Sequence, residues 1–238
     1  MIQSRPSGVC SADVEATIPT TRSKYPLLEA LRCTFRVLAD SERTGEIVVA
    51  EEIIAQSRLR ALIEDGLFTK TEEGRDLIAE MPALIDTDLD ALRELAPDTL
   101  GGAFVRFLDD HGLDYGLCAQ PTPYTDGADA QFLLHRLRQS HDLWHTLTGL
   151  GTRGHEEVLI HAFSYGQTGI ISSALIVALG GIKHMLFEKR WAAAYPGVSR
   201  ALAAGKKAAP LLAVYWERHW DEPIASVRRR LRIDTLAS

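Results

Sequence analysis

Apolar positions along this chain recur with the spacing of helices, and no segment alternates convincingly as a strand. Leu27, Leu28, Leu31, Phe35 and Leu38 fall at i, i+1, i+4, i+8 and i+11 behind Pro26, which suits a first-turn position. Ile47, Val48, Ile53, Ile54, Leu59, Leu62 and Ile63 continue the helical period. Thr71 can cap a helix that runs to Met81 and stops at Pro82, and Thr87 can cap another through Leu95, ended by Pro97. Thr99 to Asp110 reads as helix despite Gly101-Gly102, with Gly112 as its terminator. A loop, Gln120 to Gly127, precedes one long predicted helix from Ala128 to Thr148, whose Leu134, Leu137, His141, Trp144, His145 and Thr148 share a face. Gly149, Gly151 and Gly154 break it, and a second helix starting near His155 carries Glu157. An apolar run from Gly169 to Ile182 follows, then helices over Lys183 to Tyr195, Ser199 to Lys207 and Leu211 to Trp220, and a basic helix from Pro223. The pattern predicts an all-α fold, a single multi-helix domain over 24–238 behind a flexible N-terminal tail over 1–23.

Composition narrows this. With 238 residues, 46% of them hydrophobic, the chain can bury one large core. A formal net charge of −6 argues against a nucleic-acid partner. Cys10, Cys33 and Cys118 are odd in number and far apart, so they imply neither a disulfide framework nor a CxxC site, and a reducing compartment is expected. The first residues lack the apolar core of a signal, and Asp13 and Glu15 are wrong for a transit peptide. The run GIISSALIVALGGI is too short to span a bilayer; it suits a core helix, or one that lines a lipid pocket or touches a membrane.

Candidate chemistry concentrates in His141-Asp142-Leu143-Trp144-His145, followed twelve residues later by Glu157. Two histidines four apart on a helix present both imidazoles on one face, where they can grip one divalent cation. Imidazole and carboxylate donors suit zinc, iron, cobalt or manganese. Asp142 lies about 100° around the helix from His141; it either ligates at an angle or orients an imidazole. One residue of slippage exchanges Glu156 with Glu157. His161, four residues after Glu157, is placed to support the ligands from behind or to face a substrate. The stretch Gly149 to Gly154 matches GxGxxG, but it follows a helix rather than a strand. It therefore reads as a turn that returns Glu157 to the histidines, not as a dinucleotide fingerprint. Tyr215 to Trp220 (YWERHW) reads as a core helix or as a pocket wall. Arg228, Arg229, Arg230 and Arg232 read as a solvated face that also suits anionic headgroups.

These residues resemble the coenzyme Q (ubiquinone) biosynthesis protein four family, whose mark is His-Asp-x-x-His followed after eleven residues by Glu. The resemblance selects Glu157 over Glu156. It extends to Thr99-Leu100-Gly101 through Phe107-Leu108-Asp109, to Gln167-Thr168-Gly169 and to Tyr215 through Trp220, and covers roughly Ala79 to Ile233. Two positions depart: His161 stands where many members carry Lys, and Ser164 where they carry Glu.

The resemblance implies an all-helical fold with a divalent metal held by His141, Asp142, His145 and Glu157, between the two helices that carry them. It also implies an apolar pocket for a polyprenyl chain. Peripheral association with the inner face of a membrane on the cytoplasmic side is expected. So are other ubiquinone biosynthesis proteins as partners, and a homodimer is admitted. The implied reaction is oxidative decarboxylation of a polyprenylated hydroxybenzoate, the ring carboxylate being replaced by hydroxyl. Two alternatives stand beside it. One is a lipid-binding scaffold without turnover. The other is an HD-type phosphohydrolase, which needs a further histidine well upstream, where His111 and His135 are poor candidates, and an aspartate well downstream, a ligand that Glu157 does not replace.

Overall fold

Thr71 and Thr99 each open a helix as the sequence predicts, their hydroxyls accepting from the backbone N–H groups of Gly74 and Gly102. The computed structural model describes residues 23–39, 44–115, 124–178 and 191–237. Among them every regular element is helical. In chain order these are α1 (Pro26–Ala39), α2 (Thr44–Glu64), α3 (Glu72–Glu80), α4 (Leu89–Arg93), α5 (Leu100–His111), α6 (Ala128–Gln139), α7 (His141–Thr148), α8 (Gly154–Thr168), α9 (Trp191–Lys207) and α10 (Ile224–Leu231). A helical stretch over 171–178 lies between α8 and α9. Residues 1–22 of the predicted tail, 120–123 of the predicted loop, 179–182 of the apolar run and 183–190 of the helix after it lie outside the described residues.

Helices α1 and α2 form a hairpin, α2 leans on α6, and α8 packs along α9. The last pair approach so closely because glycines meet: a side chain on Gly166 would strike the Leu202 carbonyl, and one on Gly205 would strike that of Phe163. Between the layers lies one large apolar core holding Phe104, Leu133, Trp144, Phe163 and Trp216, each fully buried. A small satellite cluster of Cys33, Val49, Ala50 and Tyr124 sits beneath α1 and α2.

Four expectations are corrected. The long helix breaks at Ser140, whose ψ of −1° departs from the helical value. The Tyr115 hydroxyl donates to the Gln139 carbonyl at 3.0 Å, and the Ser140 hydroxyl to that of Leu137, so local partners compete with the helical ladder there. Asp88, not Thr87, caps α4, accepting from the N–H groups of Asp90 and Ala91. Residues Leu211 to Trp220 are not one helix but two 3₁₀ turns, Leu211–Ala213 and Trp216–Arg218. Their backbone is claimed from outside: Leu211 N–H donates to Gln167, Tyr215 N–H to Glu73, and the Val214 carbonyl accepts from Arg136. Finally, α9 begins at Trp191 and continues through Pro196, joining what the sequence divides into two helices.

Candidate metal centre

Helix α7 is short, and all four carbonyls of its last turn are satisfied. Gly149, at φ 74°, returns its N–H to His145 O at 2.8 Å, a left-handed stop that glycine adopts without strain. Arg228 of α10 donates through Nη2 to Thr146 O and through Nε to Leu147 O, at 3.0 and 2.8 Å. Leu236 N–H donates to Thr148 O at 2.7 Å. The helix that carries the histidines is thereby tied to the last described segment of the chain.

The turn from Gly149 to Gly154 then decides which glutamate faces them. Glu156 is consumed locally: its carboxylate accepts from the N–H groups of Gly151 and Arg153 and from the Arg153 guanidinium, which holds its pKa down to about 2. Glu157, one position on, turns back to α7. Its Oε2 lies 3.5 Å from His141 Nε2 and its Oε1 3.5 Å from His145 Nε2. The two Nε2 atoms are 3.2 Å apart. Among the described residues, His141, His145 and Glu157 form the group whose ligand atoms all lie within 4.8 Å of one another.

The donor set fits a divalent cation. A tetrahedral ion with ligand bonds of about 2.0–2.1 Å requires ligand atoms roughly 3.3–3.4 Å apart, close to the spacings here. The second ring nitrogen of His145 is committed, Nδ1–H donating to Leu150 O at 3.2 Å, which leaves the Nε2 lone pair turned toward His141. Phe107 lies 5.6 Å from the His145 ring, nearly parallel, and fixes its plane. The electrostatics agree. Burial works to neutralise Glu157, yet both imidazoles outweigh it and hold the carboxylate well below its usual range. Burial likewise opposes charge on His141, but Glu157 wins and raises its pKa. An ionised carboxylate in a largely dry site draws positive charge, as a proton or as a metal.

Two other predicted residues stand apart from this triad. Asp142 does not join the group of converging ligand atoms; burial raises its pKa, and its surroundings include His141, His145, Glu157 and His111. His161 packs on His141 with ring centroids 5.5 Å apart. Burial, and then the neighbouring His141, push its pKa down to about 3, so its imidazole is neutral, and its buried Nδ1 has no hydrogen-bond partner among the described residues. His111 donates Nδ1–H to Phe107 O, and neither it nor His135 joins the triad, so the upstream ligand of the phosphohydrolase alternative is missing among the described residues. Sequence reasoning did not identify Phe107 or the Leu150 carbonyl. Only the Phe107-Leu108-Asp109 segment of the resemblance pointed near the first, and no side-chain signal marks a backbone acceptor.

Residues 15–237 match the family model of the coenzyme Q (ubiquinone) biosynthesis protein Coq4. The mitochondrial ubiquinone biosynthesis protein COQ4 of Yarrowia lipolytica is 30% identical over 203 residues, spanning 84% of this chain and 76% of that protein. The mitochondrial COQ4 homolog of Xenopus laevis is 30% identical over 218 residues, spanning 91% and 75%. In three dimensions a Nostoc punctiforme protein, described under ubiquinone biosynthesis, superposes with a TM-score of 0.70 at 23% identity, covering 89% of this chain and 99% of that one; the likeness is one of fold.

Proposed function

This chain belongs to the Coq4 family of coenzyme Q (ubiquinone) biosynthesis proteins, and on that footing we propose that it catalyses the oxidative decarboxylation of a polyprenylated hydroxybenzoate. In that reaction the ring carboxylate leaves as carbon dioxide and a hydroxyl takes its place, a two-electron oxidation for which dioxygen is the co-substrate and the source of the hydroxyl oxygen. The observation that carries the reading is the convergence of His141 Nε2, His145 Nε2 and the Glu157 carboxylate on one point. These three would hold a divalent cation, zinc or else iron, cobalt or manganese. When bound, the cation supplies Lewis-acid polarisation of a substrate oxygen and, if redox-active, a route for oxygen.

The remaining steps belong to the chain's own side chains. Glu157, ionised, offsets the cation's charge. His145, held by Leu150 O and Phe107, keeps its lone pair directed. Asp142, buried beside the ligands but outside the triad, would support them from behind. His161 stays neutral and offers a hydrogen bond from the face of α8 that carries Glu157. For the isoprenoid tail we assign the helical stretch 171–178, where Ile171 and Leu175, one turn apart, remain 58% and 39% exposed. Each buried methylene there contributes about 0.8 kcal/mol. Among the described residues no helix is long and apolar enough to cross a membrane, and we place the protein on the membrane's surface, beside other ubiquinone biosynthesis proteins.

Elemental analysis of protein purified without chelator tests the reading, with His141→Ala alongside. Near one equivalent of metal, lost in the variant, is the expected result; no metal in either removes the basis of the reaction. Bound metal together with polyprenyl-lipid binding but no product from the ring acid would make the chain a scaffold.

A further inference from the structure

Two arginines line one open cavity of about 340 Å³ that also borders His145. Arg228 spends Nε and Nη2 on the end of α7, and its Nη1 has no protein partner among the described residues. Arg106 gives one bond to the Pro97 carbonyl and leaves the rest of its guanidinium unpartnered among the described residues. Neither makes an ion pair there, whereas Arg93, Arg136, Arg153, Arg218 and Arg230 all do. Asp110 is the wall's one carboxylate, and it pairs with neither arginine. Phe107 and Ile224 supply apolar wall. The size lies at the lower end of small-ligand pockets, ~300–1,000 Å³.

We propose that this cavity binds the carboxylate of a small ring acid. The free guanidinium donors of Arg106 and Arg228 take its oxygens, and Phe107 and Ile224 take its apolar body. A guanidinium fork matches two carboxylate oxygens, and arginines without a counter-charge present donors that a bound oxyanion satisfies. Phosphate shares the oxyanion chemistry but has no body for the apolar wall. The site rests on the function proposed above only for the ligand's identity, since the hydroxybenzoate head of that substrate is such an acid; its donors are independent of the metal.

Calorimetric titration of 4-hydroxybenzoate into the full-length protein tests this, with 4-hydroxybenzyl alcohol and inorganic phosphate as comparison ligands. Wild type, Arg106→Gln and Arg228→Gln are each measured before and after chelation. The acid is expected to bind wild type, the neutral alcohol at least about tenfold more weakly, and each variant to lose about tenfold in affinity for the acid. Chelation should leave acid binding in place, and Arg106→Gln should keep its metal content. Because Arg228→Gln also strips two bonds from α7, the exposed Arg106→Gln decides the matter if the other variant fails to fold. Equal binding of acid and alcohol, tighter binding of phosphate than of the ring acid, or no binding of the acid at all would overturn the proposal. Binding lost on chelation but intact in Arg106→Gln would move the acid onto the metal, overturning this site while supporting the metal reading.

Discussion

Arg136 and Glu217, 81 positions apart in sequence, form a two-pronged ion pair with Nη1–Oε1 and Nη2–Oε2 at 2.6 and 2.8 Å, and the guanidinium side chain is wholly buried. Nη2 also donates to the Val214 carbonyl, so the pair locks α6 to the Tyr215-to-Trp220 segment. Removing one partner strands a charge in the core. Glu217→Ala is expected to destabilise the fold by about 3–5 kcal/mol in urea melts, while Arg136→Met with Glu217→Met loses much less. A double variant as unstable as the single would assign the loss to packing instead.

His219 sits between two carboxylates, its Nε2 2.7 Å from Glu73 and its Nδ1 2.6 Å from Glu222. The bond to Glu73, against the opposing effect of burial, raises its pKa above the ordinary 6.5. A raised pKa contributes stability that is complete below pH 6.5 and is lost as pH climbs through the folded value. The pKa values of Glu73 and Glu222 are lowered, so their contribution holds above pH 4.5 and fades as pH falls through their folded values. Thermal melts across pH should therefore show a loss of stability setting in above pH 6.5, and His219→Gln should flatten it. An identical slope in the variant would rule this cluster out as its source.

The crossing of α8 and α9 leaves no room for a methyl group on Gly205, where it would overlap the Phe163 carbonyl. Gly205→Ala is expected to cost about 1–3 kcal/mol by forcing the helices apart. Because α8 carries Glu157, metal content should fall as well. Chemical denaturation beside elemental analysis checks both, and a variant as stable as wild type would mean that the crossing is looser than described.

Glu157→Gln keeps the shape of the third ligand but removes its charge. Metal affinity is expected to drop at least about tenfold, the scale on which even supporting partners of ligands act, with far-UV circular dichroism unchanged. Loss of helicity would show that the ion pairs of Glu157 hold the fold rather than the metal.

Helical spacing made most elements legible, because a buried helix must repeat its apolar face every three to four residues. It failed where a side chain from afar claims the backbone. The hydroxyl of Tyr115 acts near Ser140, and Gln167, Glu73 and Arg136 displace the expected helix over Leu211–Trp220. Such long-range bonds leave no trace in local periodicity. At the site, His141 and His145 were legible from their spacing and Glu157 from the family resemblance. Its separation from Glu156 has a geometric cause, since Glu156 is spent on Gly151 and Arg153. The role of Leu150 was hidden because a carbonyl has no letter of its own.

The tie between α7 and the segment around Arg228 sets an order on synthesis. Arg228 follows Leu147 by 81 residues, so a ribosome adding about 5–20 residues per second reaches it roughly 4–16 s after the histidines are made. Through that interval the nascent helix lacks the donors that finish its last turn. The last turn of the helix that carries His141 and His145 is therefore completed only after that later segment has been made.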